Sequence, residues 1–272
     1  MRNVLFLSHG SPSLVITEHP ARDFFVDLGR QLPHPRGALV ISAHYETSTL
    51  ALGGAARPTT LHDFYGFPEV MYQQRYPAEG LPDMARQLAA ELGASGLDVE
   101  VEPRRPLDHG VWSPLSLIWP QADIPLLPVS VPMALADNDR LALAAQLGQF
   151  AERHELWLIG SGAATHNLGD RKPAEAEPDP WAREFHAWAR DVAERGDLNA
   201  LANWRLQAPH ATYAHPTPEH FLPLLMTVGA LEGQPMKALH ESFMFGNLSM
   251  LCLADLDTAR WVKREHDAGA AA

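Results

Sequence analysis

Val4-Leu5-Phe6-Leu7-Ser8-His9-Gly10-Ser11-Pro12 is a short apolar run cut off by a polar turn. Four consecutive apolar residues followed by Gly10 and Pro12 read as a buried strand that ends in a loop. A histidine stands at its carboxyl end. The same arrangement recurs twice: Ala38-Leu39-Val40-Ile41-Ser42 runs into Ala43-His44-Tyr45, and Leu156-Trp157-Leu158-Ile159 into Gly160-Ser161-Gly162-Ala163-Ala164-Thr165-His166. Val99-Glu100-Val101-Glu102 alternates as another short strand, and residues 248–253 form the closing one. Residues 124–131 make a further strand, which Pro125 and Pro128 place at an edge or make irregular. Asp108-His109-Gly110 falls in a loop.

Helical spacing fills the intervals. Met84, Leu88 and Leu92 repeat every four residues across 82–93, and Leu141, Ala144, Leu147 and Phe150 form a stripe across 137–152. Residues 181–195 and 217–228 also read as helices, the second with Thr217 as its cap and Pro218 at its first position. Strands alternating with helices, with no linker and no repeat, specify one α/β domain: a mostly parallel central sheet flanked by helices. Only the tail from about residue 258, with its alanines at 268–272, is expected to be peripheral. Ligands in such sheets bind beyond the carboxyl ends of the strands, where His9, His44 and His166 all arrive.

Composition narrows the function. The chain has 272 residues and a formal charge of −12, from 21 basic against 33 acidic side chains, which excludes nucleic acid or an anionic membrane surface as the expected partner. Cys252 is the sole cysteine and sits in an apolar run, so it reads as a core thiol, and neither an intrachain disulfide nor a multi-thiolate zinc site is available. The apolar stretch Val4–Leu7 is too short for a secretory core and no later segment is long enough to span a bilayer, so a cytoplasmic protein is expected. Fourteen histidines are the outlying count. His19, His34, His154, His186 and His266 have no supporting pattern and read as scattered surface residues. Three others converging on one sheet edge read instead as a catalytic metal site, because dispersed imidazoles leave coordination positions open. Ala214-His215-Pro216-Thr217-Pro218-Glu219-His220 offers a further ligand, either Glu219 or His220.

These pieces, with His62-Asp63-Phe64-Tyr65-Gly66-Phe67-Pro68, Asp108-His109-Gly110-Val111-Trp112, His166-Asn167-Leu168 and Gly246-Asn247-Leu248-Ser249-Met250, stand in one order along residues 3–254. In that order and spacing the chain resembles the class III extradiol ring-cleavage dioxygenases, in the branch containing DOPA 4,5-dioxygenase. The resemblance implies one divalent metal, Fe(II) in the wider family and zinc in members of this branch, and a catechol and dioxygen as reactants. It implies His9, His44 and His220 as metal ligands, His166 as a ligand or an acid/base, and His109 as a histidine facing the substrate. Tyr45, Trp112 and Glu219 are the candidates for substrate contact, with Phe64, Tyr65 and Phe67 as further aromatic lining. Two other readings stay open on the residues. A zinc hydrolase or lyase would activate water instead of oxygen, and a catechol or metal binder would show no turnover. A dinucleotide site is disfavoured, since Gly160-Ser161-Gly162 lacks the further glycine.

Overall fold

The computed structural model describes residues 2–262. Ten strands occur among them: β1 Asn3–Ser8, β2 Ala38–Thr47, β3 Leu50–Gly53, β4 Val99–Glu102, β5 Leu126–Pro132, β6 Trp157–Gly162, β7 Met236–His240, β8 Phe243–Met244, β9 Leu248–Ser249 and β10 Cys252–Asp255. Eight form one sheet in the order β4-β3-β5-β2-β6-β1-β10-β7, while β8 and β9 make a small hairpin of their own. The β3/β4, β5/β2, β2/β6 and β6/β1 pairs are parallel, and the β3/β5, β1/β10 and β10/β7 pairs are antiparallel.

Side chains alternate across each strand, and both faces are covered. Val4, Phe6, Leu39, Ile41, Val129, Leu158 and Leu253 enter one core, with helices Asp137–Arg153, Pro180–Arg195 and Leu222–Ala230. Leu5, Leu7, Ala38, Val40, Trp157, Ile159 and Cys252 enter the other, with helices Pro20–Gln31 and His109–Ile118. A strand buried on two faces has no polar side to display, which is why the central runs are uniformly apolar. Cys252 is fully buried, and burial pushes its thiol up to about 12.

Several elements differ from expectation. β5 lies inside the sheet, between β3 and β2, despite its prolines. It meets β3 only at Leu52↔Val129, and the missing side chain of Gly53 makes room for Pro128, whose Cδ would be 2.9 Å from a Cβ there. His109 and Gly110, expected in a loop, are the first two residues of a helix, His109–Ile118. The helix expected from 217 begins at Leu222, so Glu219 and His220 lie in the turn before it. The closing strand is split into β9 and β10. Thr258 and Ala259 are buried, and the Trp261 ring lies 6.1 Å from that of Trp157 at 19°, so the chain is still packed past 258. His266 and the alanines at 268–272 lie outside the described residues. His186 is a buried residue, with Nδ1 2.7 Å from Ser249 Oγ and Nε2 2.8 Å from Glu241 Oε2. Among the described residues no helix is long and apolar enough to cross a membrane.

Candidate metal centre

His9 continues β1 by one residue, its N–H donating to Gly162 O at 3.0 Å, before Gly10 turns the chain at a φ of 65°. That left-handed conformation suits glycine. A Cβ at Gly10 would also lie 2.7 Å from Met250 Sδ. His44 comes from a bulge. β2 pairs regularly with β5 up to Ile41↔Val129 and resumes at Glu46↔Val131, and its pairing with β6 stops at Ser42↔Ser161. The extra residues turn His44 out of the ladder. His220 arrives from the turn before helix Leu222–Ala230, and its carbonyl accepts from Ala163 N–H at 2.9 Å, just past β6.

The three imidazoles meet through Nε2. His9 Nε2 is 3.2 Å from His44 Nε2, which is 3.3 Å from His220 Nε2. Each Nδ1 faces an oxygen. Ser161 Oγ donates to Gly110 O, so it must accept from His9 Nδ1–H at 2.9 Å. Glu219 Oε1 accepts from His220 Nδ1–H at 2.8 Å and from the Thr217 hydroxyl at 3.1 Å. His44 Nδ1 lies 3.4 Å from Asp63 Oδ2. Protons fixed on Nδ1 leave three Nε2 lone pairs pointing at one another, an arrangement that repels unless a cation sits between them. Imidazole ligands about 2.0–2.1 Å from one ion at near-tetrahedral angles would stand roughly 3.3 Å apart. The donor set therefore fits a single metal ion.

Burial and the neighbouring imidazoles hold His9 and His220 well below the usual histidine range. The same causes bring His44 down to about 3, opposed by Asp63, and burial followed by His109 brings His166 down to about 4. All four are neutral near pH 7, the form that binds metals.

His166 stacks on His220, with ring centroids 3.4 Å apart at 7°. Its ligand atom, with those of Glu219 and His220, falls within a 4.8 Å group, but it is not part of the His9–His44–His220 group. His109 is the first residue of its helix, and its ring centroid is 3.9 Å from that of His44. Both its N–H and its Nδ1–H donate to Asp63 Oδ1, at 3.0 and 2.9 Å.

A cavity of about 360 Å³ opens over these rings, lined by all five histidines together with Asp63, Phe64, Tyr65, Phe67, Leu168, Arg171, Phe245 and Leu248. Tyr45 and Trp112 do not line it. Tyr45 is buried beneath the Arg105 guanidinium, 3.7 Å from its ring centre, and Trp112 is buried with Nε1–H donating to Leu61 O at 2.8 Å. Glu219 is likewise absent from the lining, because its carboxylate is turned to His220 and Thr217. Phe64, Tyr65 and Phe67 do line it. Sequence reasoning gave no role to Asp63, Ser161, Arg105 or Arg171. The first two stood inside motifs already picked out, so a search for acceptors to each ligand's second nitrogen would have found them.

The sequence profile of the catalytic LigB subunit of aromatic ring-opening dioxygenase matches residues 3–251. A 4,5-DOPA dioxygenase extradiol of Beta vulgaris is 34% identical over 254 residues, covering 92% of this chain and 94% of the relative. Its namesake in Escherichia coli K12 is 34% identical over 252 residues, covering 91% and 92%. The crystal structure of an uncharacterized Escherichia coli K12 protein superposes with a TM-score of 0.79 at 29% identity, covering 94% of this chain and 100% of the other. With the profile spanning nearly the whole chain and the histidines gathered as described, the protein belongs to the LigB family of aromatic ring-opening extradiol dioxygenases, in its DOPA dioxygenase-like branch.

Proposed function

We propose that the protein opens the ring of a catechol beside its diol, inserting both atoms of dioxygen, with Fe(II) as the working metal held by His9, His44 and His220. What carries this reading is the convergence of three neutral Nε2 atoms at a cavity whose remaining walls are largely aromatic and aliphatic. Held by these three residues, Fe(II) would supply Lewis acidity toward the diol and redox chemistry toward dioxygen, and redox-silent zinc would lack the second.

The chain's own residues divide the remaining work. Phe64, Phe67, Phe245, Leu168 and Leu248 hold the ring and exclude water. His109 has its Nδ1 proton committed to Asp63, so its Nε2 takes the phenolic proton. His166 handles the second proton transfer from its place on the face of His220. Arg171 lines the cavity with no carboxylate partner among the described residues, its guanidinium 5.8 Å from the Phe245 ring centre. It suits a catechol whose side chain carries a carboxylate, as in the substrate for which the relatives are named. The volume of about 360 Å³ leaves room for such a side chain, since roughly 150 Å³ already holds benzene.

The test is metal-stripped protein reloaded with Fe(II) or Zn(II) and assayed for oxygen uptake on catechols with and without a carboxylate. Uptake with ring-opened product under Fe(II) alone is expected, and Arg171→Gln should raise KM about tenfold only for the carboxylated members. Turnover without oxygen consumption would point to a hydrolase or lyase.

A further inference from the structure

The carboxylate that lines the cavity belongs to Asp63, a residue outside the ligand set. Asp63 sits in the segment 61–68, which is pinned to the start of helix His109–Ile118 by Leu61 N–H donating to Leu107 O at 2.7 Å and Trp112 Nε1–H donating to Leu61 O at 2.8 Å. The helix needs an acceptor there. Asp108 stands at the capping position but makes no cap hydrogen bond, because Oδ1 accepts from Ser42 Oγ at 2.6 Å and Oδ2 from Arg105 at 2.8 Å. Asp63 fills the gap from the neighbouring segment. Its Oδ1 takes both the His109 N–H and the His109 Nδ1–H, and its Oδ2 faces His44 Nδ1 at 3.4 Å.

We propose that Asp63 is a positioning residue, which locks His109 as its Nδ1–H tautomer and so leaves Nε2 as the only basic atom of that ring. A neutral imidazole free of such a partner carries its proton mainly on Nε2 and has no lone pair there for a substrate hydroxyl. The backbone hydrogen bond to the same oxygen adds orientation to tautomer, because main chain and ring of His109 are held to one point. The second oxygen does the same, more loosely, for His44. A single carboxylate thereby sets the proton of a metal-ligand candidate and of the base. The catalytic consequence rests on the function proposed above, whereas the tautomer assignment does not.

The experiment reads both. In metal-free and zinc-loaded full-length protein, nitrogen-15 NMR of the imidazoles, assigned through His109→Gln, should show His109 protonated on Nδ1. Asp63→Ala should move that proton to Nε2, and Asp63→Asn, whose amide oxygen still accepts, should shift it less. With Fe(II), Asp63→Ala should lower kcat about 10²-fold, the scale of a mispositioned general base, with KM changed less than threefold and metal still near one per chain. Asp63→Asn should recover part of that loss. Adding Asp63→Ala to His109→Gln should cost far less than the sum of the two single losses, since the aspartate acts chiefly through that histidine and only loosely on His44. A wild-type His109 protonated on Nε2, or additive losses in the double variant, would overturn the proposal. Absence of ring cleavage by the wild type would defeat the functional reading alone, leaving the tautomer result to decide on Asp63.

Discussion

Glu219 and His220 are adjacent, both able to bind a metal, and only the geometry separates them. Glu219 Oε1 is occupied by His220 Nδ1–H and the Thr217 hydroxyl, so the carboxylate stands behind the ligand. Glu219→Gln should therefore keep one metal per chain while weakening affinity about 10–100-fold, as chelator competition would measure. A loss of metal as complete as that of His220→Ala would transfer the ligand role to the carboxylate. His166 divides differently. Stacked on His220 and outside the three-nitrogen group, it is expected to matter for protons more than for occupancy. His166→Gln at saturating Fe(II) should retain full metal and lose about 10²–10⁴-fold in kcat, and a loss of metal would make it a ligand. Much of this set could be read in the sequence, because a histidine after an apolar run is a visible signal. Asp63, Ser161 and Arg105 could not be assigned that way. Asp63 and Ser161 act through hydrogen bonds across 46 and 152 residues of chain, and Arg105 reaches His44 O across 61, links that leave no local periodicity. Tyr45 and Trp112 misled for the opposite reason: adjacency to a motif says nothing about which side of the backbone a ring takes.

Strands β1, β2, β5 and β6 were legible because each is apolar on both faces, and β4 by its alternation. Helices Pro82–Ala94 and Asp137–Arg153 were legible by their stripe, whereas β3, β7 and helix Pro20–Gln31 went unread. Helix His109–Ile118 was not legible either. Eight of its ten residues are buried, so it has no polar face to give a period, and Pro114 inside it reads as a breaker. What fixes this helix is its contact with the bulge of β2. A Cβ on Gly110 would lie 2.6 Å from Ser42 Oγ and 3.1 Å from both Asp108 Oδ1 and His44 Cδ2. The helix start can thus approach the metal edge only because position 110 is glycine. Gly110→Ala should push the helix off β2, lowering stability by about 1–3 kcal/mol and disturbing His44 and His109 together. Thermal melts and metal titration would both report it, and a variant with unchanged Tm and unchanged affinity would show that the helix tolerates the displacement.

Over the whole molecule, gathering imidazoles in a buried site makes the fold sensitive to acid. Burial first, and neighbouring imidazoles second, hold His9 and His220 well below 6.5 and His44 at about 3. His166 and His215 sit at about 4 and about 3, again chiefly through burial. The unfolded chain binds protons at these five positions from about pH 6.5 downward, whereas the fold refuses them until well below that, so stability is complete above 6.5 and falls as the pH drops beneath it. One unit below 6.5, each histidine costs about 1.4 kcal/mol, roughly 7 kcal/mol for the five, against a typical total of about 5–15. Metal-free protein should therefore lose on the order of 15 °C in Tm or more between pH 7.5 and 5.5. Metal should raise Tm at pH 7.5, and that gain should shrink on acidification because protons compete for His9, His44 and His220. The net charge of −12 sharpens the test. Acidification reduces the self-repulsion of an acidic chain and would by itself favour the compact state, so a steep fall can be assigned to the buried histidines. A flat Tm over the same range would mean that the imidazoles take up protons inside the fold, and the neutral ligand set described for the metal would not hold.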